Sequence, residues 1–107
     1  MIIIVDIDET IAITPEDRNY ENSVPIKENI EVINKLHDEG HSVIYWTARG
    51  GGSGIDWSEL TRRQIKEWGA RCAEVRLGKP MYDIFICDKA VNSIDFFSEM
   101  LDKKENV

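Results

Sequence analysis

The sequence predicts an α/β domain built on a mostly parallel sheet with helices on both faces. Three observations lead there. Short apolar runs alternate with helical-period stretches in the order β-loop-α-β-loop-α-β-β-α, and strands separated by helices pair in parallel. The first run, Ile2–Val5, is continuously apolar, the pattern of a strand buried on both faces. The 107 residues match one domain of ordinary size, large enough for one core.

The elements follow in order. Ile2–Val5 is the first strand and stops at Asp6, Asp8 and Thr10. Ile11 to Val24 is polar, with Pro15, Asp17, Arg18, Asn19 and Tyr20, and reads as a loop or short hairpin over the strand end. Pro25 suits the first turn of a helix, Ile26, Ile30, Ile33 and Leu36 follow at helical spacing, and Gly40 stops it. His41 to Trp46 is the second strand, ending at Thr47-Ala48-Arg49. Gly50 to Gly54 is a flexible loop. A helix from about Ser58 to Trp68 carries Leu60, Ile65 and Trp68 on one side, with Gly69 as its stop. Cys72 to Leu77 is a weaker third strand, Gly78-Lys79-Pro80 a turn, and Ile84–Cys87 a fourth strand ending at Asp88. The last helix spans about Ser93 to Leu101, followed by a charged tail that frays.

Composition narrows the function classes. Hydrophobic content of 42% and charged content of 31% fit a globular protein. A net charge of −7 argues against a broad nucleic-acid footprint, which needs a basic face. A small anionic ligand stays compatible, because a metal and a few cations reverse the local field. No apolar run approaches the roughly 20 residues that cross a bilayer. The first residues lack a basic leader and a cleavage site, so the expectation is a cytoplasmic protein with Cys72 and Cys87 as buried, reduced thiols.

Chemistry is expected where strands end. Side chains alternate along a strand, so Asp6 and Asp8 start on the same side, roughly 6–7 Å apart. Carboxylates that close repel unless a cation or proton lies between them. The pair therefore points to a divalent metal, an acid–base pair, or both. Thr47, Lys79 and Asp88 follow other strands or lie in a nearby turn. Parallel strands end at one edge, where open α/β sheets place their ligands. Asp83 would lie roughly 16 Å from Asp88 along an extended strand, at the other edge.

These segments resemble the haloacid dehalogenase (HAD) superfamily of phosphohydrolases. The first motif is the apolar strand with Asp6-Ile7-Asp8-Glu9-Thr10. The second is Val43-Ile44-Tyr45-Trp46-Thr47, the third is Gly78-Lys79-Pro80, and the fourth is Ile84-Phe85-Ile86-Cys87-Asp88. Within the superfamily, Trp46-Thr47-Ala48-Arg49, Leu77-Gly78-Lys79-Pro80 and Cys87-Asp88-Lys89-Ala90 look like the small capsule-biosynthesis-type phosphatases. Those relatives commonly carry Asp-Asp at the fourth motif, where this chain has Cys87-Asp88. That substitution bears on metal affinity.

The resemblance implies a small Rossmann-like, HAD-like fold and a Mg²⁺-dependent phosphomonoester hydrolase. Asp6 would be the nucleophile that forms an aspartyl-phosphate. Asp8 would be the acid and then the base. Thr47 and Lys79 would bind phosphoryl oxygens. Asp6, the Asp8 backbone carbonyl and Asp88 would hold Mg²⁺. Thr10 would fix the turn that aims Asp8. The gaps after the first and second motifs leave no room for a cap domain, so the loops at 11–24 and 50–57 are the lids, with Arg18, Arg49 and Trp57 as candidate substrate contacts. An open site suits a large substrate, or a small one enclosed by a second copy of the chain. A sugar phosphate or similar small metabolite is the leading substrate class.

Plainer roles compete. Thr47 alone would be a helix cap, Lys79 a solvated turn cation, Asp88 a turn cap. Arg49 divides evenly between substrate contact and a surface ion pair. Trp57 and Trp68 read as core, and His37 and His41 as helix-end residues. Rival functions are a nucleic-acid 3′-phosphatase, a non-catalytic phosphate-binding protein, and a receiver-like signalling domain. The last also clusters aspartates, Thr and Lys around Mg²⁺, but its phosphorylated Asp follows a central strand.

Overall fold

The computed structural model describes residues 1–105, and the last two positions of the charged tail lie outside them. The chain forms β1 (Ile2–Val5), β2 (Ala12–Ile13), a 3₁₀ turn (Tyr20–Asn22), β3 (Val24–Pro25), α1 (Lys27–Asp38), β4 (Ser42–Trp46), α2 (Ser58–Glu67), β5 (Glu74–Arg76) and α3 (Ser93–Glu105). The main sheet is parallel with order β1-β4-β5. Ile3 lies opposite Val43, and Tyr45 opposite Val75. This is a small Rossmann-like α/β fold.

Side-chain alternation divides the sheet. Val5, Val43 and Tyr45 point into a core with Ile30, Ile33, Ile65 and Phe97 from the helices. The opposite face is open at Ile2 and Ile4, which are 74% and 56% exposed. The covering of β1 on both faces that its apolar run predicts is thus realised on one. The chain steps in the same direction twice, β1 to β4 to β5. Right-handed crossovers of one sense put α1 and α2 on one side, and α3 packs against α1.

Three expected elements differ. Pro25 does not open α1 but pairs with Ala12 in the β2–β3 hairpin. A two-stranded ribbon consists of edges, where a missing N–H is tolerated. The hairpin itself agrees with the reading of 11–24. The last helix continues past Leu101 to Glu105, so the charged tail is helical over most of its length. The fourth strand is not formed: among the described residues, 84–87 have no ladder partner, and Ile84 and Ile86 are 79% and 93% exposed. Strand preference is mostly a preference for a packed, paired surface, and this segment meets none. Among the described residues no helix is long and apolar enough to cross a membrane.

Candidate active site

The turn after β1 is wound around one carbonyl. The amides of Thr10, Ile11 and Ala12 all donate to the Ile7 carbonyl, at 3.2, 2.9 and 3.2 Å. Asn29 Nδ2 donates to the Thr10 carbonyl at 2.9 Å, tying the turn to α1. Thr10 therefore serves the turn through its main chain. Glu9 adopts a left-handed φ of 60° there, an uncommon conformation for a residue with a side chain. The turn leaves Asp6 and Asp8 at the floor of a cleft of about 560 Å³, at the carboxyl end of β1 and β4.

Asp6 Oδ1 accepts from the Ile7 amide at 2.9 Å, and Oδ2 lies 3.6 Å from Lys79 Nζ. Burial raises the Asp6 pKa, and the Lys79 ammonium opposes that rise. Lys79 is positioned through Thr47. The Thr47 amide donates to the Arg76 carbonyl at 2.9 Å, and the Lys79 amide donates to the Thr47 carbonyl at 3.1 Å. The second and third sequence motifs are thus joined by backbone hydrogen bonds next to Asp6. Thr47 itself is buried, and its hydroxyl accepts from the Arg49 amide at 3.2 Å.

Asp8 is held by three donors. Thr14 Oγ1 donates to Oδ1 at 2.6 Å, Arg49 Nη2 to Oδ1 at 2.8 Å, and Arg49 Nε to Oδ2 at 3.0 Å. The remaining Arg49 nitrogen, Nη1, donates to Thr61 Oγ1 at 3.1 Å and Gln64 Oε1 at 2.7 Å. The Tyr20 ring covers the guanidinium with its centroid 4.5 Å from Cζ. Gln64 Nε2 donates to the Tyr20 carbonyl at 2.6 Å, and Tyr20 meets Trp57 edge-on at 5.2 Å.

The loops are tied rather than loose. Residues 14–23 are fastened to Asp8 by Thr14 and to α2 by Tyr20. In the glycine loop, Gly50 has φ +85°, and a Cβ there would collide with the Ile55 carbonyl. The glycine is needed for that close approach, not for motion.

Of the expected site residues, the cleft is lined by Asp6, Asp8, Arg18, Thr47, Arg49, Trp57 and Lys79. Arg18 is exposed and pairs with Glu9 at 3.3 Å. Trp57 stands in the wall rather than the core. Asp88 does not join the cleft, because the strand that would carry it is not formed; its carboxylate lies 3.8 Å from Cys87 Sγ, and for the same reason Cys87 is exposed rather than buried. Among the described residues no group of three His, Cys, Asp or Glu side chains is placed to hold a metal ion. Mg²⁺ needs only one or two carboxylates when phosphate oxygens and waters complete its shell. Asp6, whose side chain is 41% exposed, is an oxygen donor of that kind.

Residues that the sequence left unmarked complete the site. Thr14, Tyr20, Thr61 and Gln64 build the support of Asp8, while Ile55, Met81 and Tyr82 add apolar wall. The available signal was on α2, where Thr61 and Gln64 interrupt the buried side between Leu60 and Ile65 at a spacing that faces one direction.

No family model matches the chain, and no curated protein matches it. Among solved structures, a crystal structure of a Vibrio cholerae protein is similar, with a TM-score of 0.75 at 25% identity. The match covers 97% of this chain and 98% of that one. The likeness extends the α/β architecture over nearly the whole length.

Proposed function

We propose that the chain is a Mg²⁺-dependent phosphomonoester hydrolase acting through an aspartyl-phosphate on Asp6, with a small phosphorylated metabolite, foremost a sugar phosphate, as substrate. The observation that carries this reading is the convergence of Asp6, Asp8, Thr47 and Lys79 at one sheet edge, although they come from positions far apart in sequence. A nucleophilic carboxylate beside a fixed ammonium suits attack on a phosphoryl group, because the cation meets the negative charge that nucleophile and substrate bring together.

In this reading Asp6 Oδ2 attacks phosphorus while Lys79 Nζ holds an equatorial oxygen. The leaving oxygen takes a proton carried by Asp8 on the Oδ2 lone pair that Arg49 leaves open, and the aspartyl-phosphate is then hydrolysed by a water that gives its proton back to Asp8. Bound Mg²⁺, held by Asp6, would neutralise phosphoryl charge. The cleft volume suits a leaving group of metabolite size, in the range of ordinary small-molecule sites. Phosphate release should be measured from 4-nitrophenyl phosphate and a panel of sugar phosphates, with wild type and Asp6→Asn. The expected outcome is turnover by wild type and loss of at least about a thousandfold in the variant, within the range for removing a member of a nucleophilic machine. An Asp6→Asn protein with substantial turnover overturns the proposal.

A further inference from the structure

We infer that Arg49 is a positioning residue for Asp8 and not a substrate ligand, and that Tyr20 makes the first loop part of the same device. The inference rests on the hydrolase reading and assigns this arginine a duty within it. The Arg49 side chain is 0% exposed. A guanidinium has five N–H donors, and four are engaged: Nε and one on Nη2 with Asp8, and two on Nη1 with Thr61 and Gln64. The Tyr20 ring occupies one face of the planar group. The four engaged donors are open to a substrate only if it displaces those partners.

The geometry has a consequence for Asp8. A bidentate fork fixes the plane of the carboxylate as well as its place. Thr61 and Gln64 anchor the far side of the guanidinium to α2, so the fork cannot turn without breaking buried hydrogen bonds. A carboxylate that shuttles a proton must lie within hydrogen-bond reach of the leaving oxygen. Arg49 therefore acts through Asp8, on protonation of the leaving group, and leaves the phosphoryl pocket alone. Lysine would keep the charge and lose the fork.

The test compares kcat/KM for 4-nitrophenyl phosphate, whose leaving group departs without help, with that for an alkyl phosphate, which needs a proton. Inorganic phosphate is used as competitive inhibitor. Arg49→Ala and Arg49→Lys are expected to lose about 10²-fold or more on the alkyl ester, within the usual range for general acid catalysis. The loss on the aryl ester should stay under about tenfold, with the inhibition constant of phosphate unchanged within about threefold. In an Asp8→Asn background, Arg49→Ala should cost almost nothing more, since residues acting as a unit are not additive. Tyr20→Leu, which loosens the cover without opening the network, should show the same alkyl-over-aryl bias at about three- to tenfold. It carries the test if the Arg49 variants fail to fold. Equal losses on both esters with weaker phosphate inhibition would make Arg49 a phosphoryl ligand and overturn the inference. So would additive losses with Asp8→Asn, or a Tyr20→Leu variant without the bias. If Asp6→Asn retains turnover, the hydrolase reading itself has failed, a result distinct from all of these.

Discussion

Removing the ammonium of Lys79 is the sharpest perturbation of the proposed phosphoryl pocket. Lys79→Met keeps the aliphatic stem and the amide that donates to the Thr47 carbonyl, so the turn should stay in place. The charge is what disappears. At 3.6 Å, a unit pair in an effective dielectric of about 20 interacts by roughly 5 kcal/mol. Asp6 is 41% exposed, and solvent screening reduces the ground-state value to about 1 kcal/mol. The transition state brings more charge into the same place with less water. There a preorganised donor is worth about 10²–10³ in kcat. The variant should therefore lose about that factor with little change in melting temperature.

A second signature comes from pH. Burial raises the Asp6 pKa and Lys79 lowers it. Without the ammonium the carboxyl rises further, so less of it is ionised at a given acidic pH. If Asp6 is the nucleophile, the acid limb of kcat/KM reports it in free enzyme and should move to higher pH. The assay is initial-rate phosphate release from pH 4 to 9, with both proteins at saturating Mg²⁺. A loss under about fivefold refutes the placement of Lys79 at the reacting group.

Two further outcomes are expected. Mg²⁺ should raise the melting temperature by binding the folded form, and Asp88→Ala should lose most of that rise. The outer edge of β1 has no neighbouring strand among the described residues, and both it and the run 84–86 expose apolar side chains. A cation that uses Asp88 would have to draw this run to that edge, which would bury the exposed surface and bring Asp88 towards the cleft. An undiminished rise in Asp88→Ala refutes this. Asn34→Ala should cost about 2–4 kcal/mol, because Asn34 bonds the Gly69 carbonyl at 2.9 Å and the Arg71 amide at 2.7 Å, and both would lose their partner. Urea denaturation checks it, and a cost under about 1 kcal/mol would show that water replaces the side chain.

What the sequence reveals depends on how far apart the cooperating residues lie. β1, β4, α1 and α2 are written in local period and stop signals, and they appear within a residue or two of the expected bounds. The floor of the cleft is legible because Asp6, Asp8 and Thr47 each follow a strand directly. Arg49 is not. Its partners are Asp8, Thr61 and Gln64, at separations of 41, 12 and 15 residues, and nothing beside it in the chain distinguishes it from a surface arginine. Pro25 misleads for a related reason: its fixed φ serves a helix start and an edge strand equally, and the partner Ala12 decides. The run at 84–87 has strand composition, but composition does not supply a neighbour.

Every residue from Met81 to Asn92 is exposed, yet α3 beyond that stretch is well seated. Phe97 is buried, and Phe96, Met100 and Leu101 rest against the core. Connectivity and attachment are thus separate properties at this end of the molecule. Beyond Tyr82 the linking stretch supplies no wall of the cleft, and aromatic and aliphatic contacts keep the helix in place. A protease that nicked the chain there would cut none of the side-chain contacts that seat α3. Tyr82 is the last residue that lines the cleft, so a nick beyond it would leave all the walls on the larger piece, while the smaller one carries Phe97 of the core.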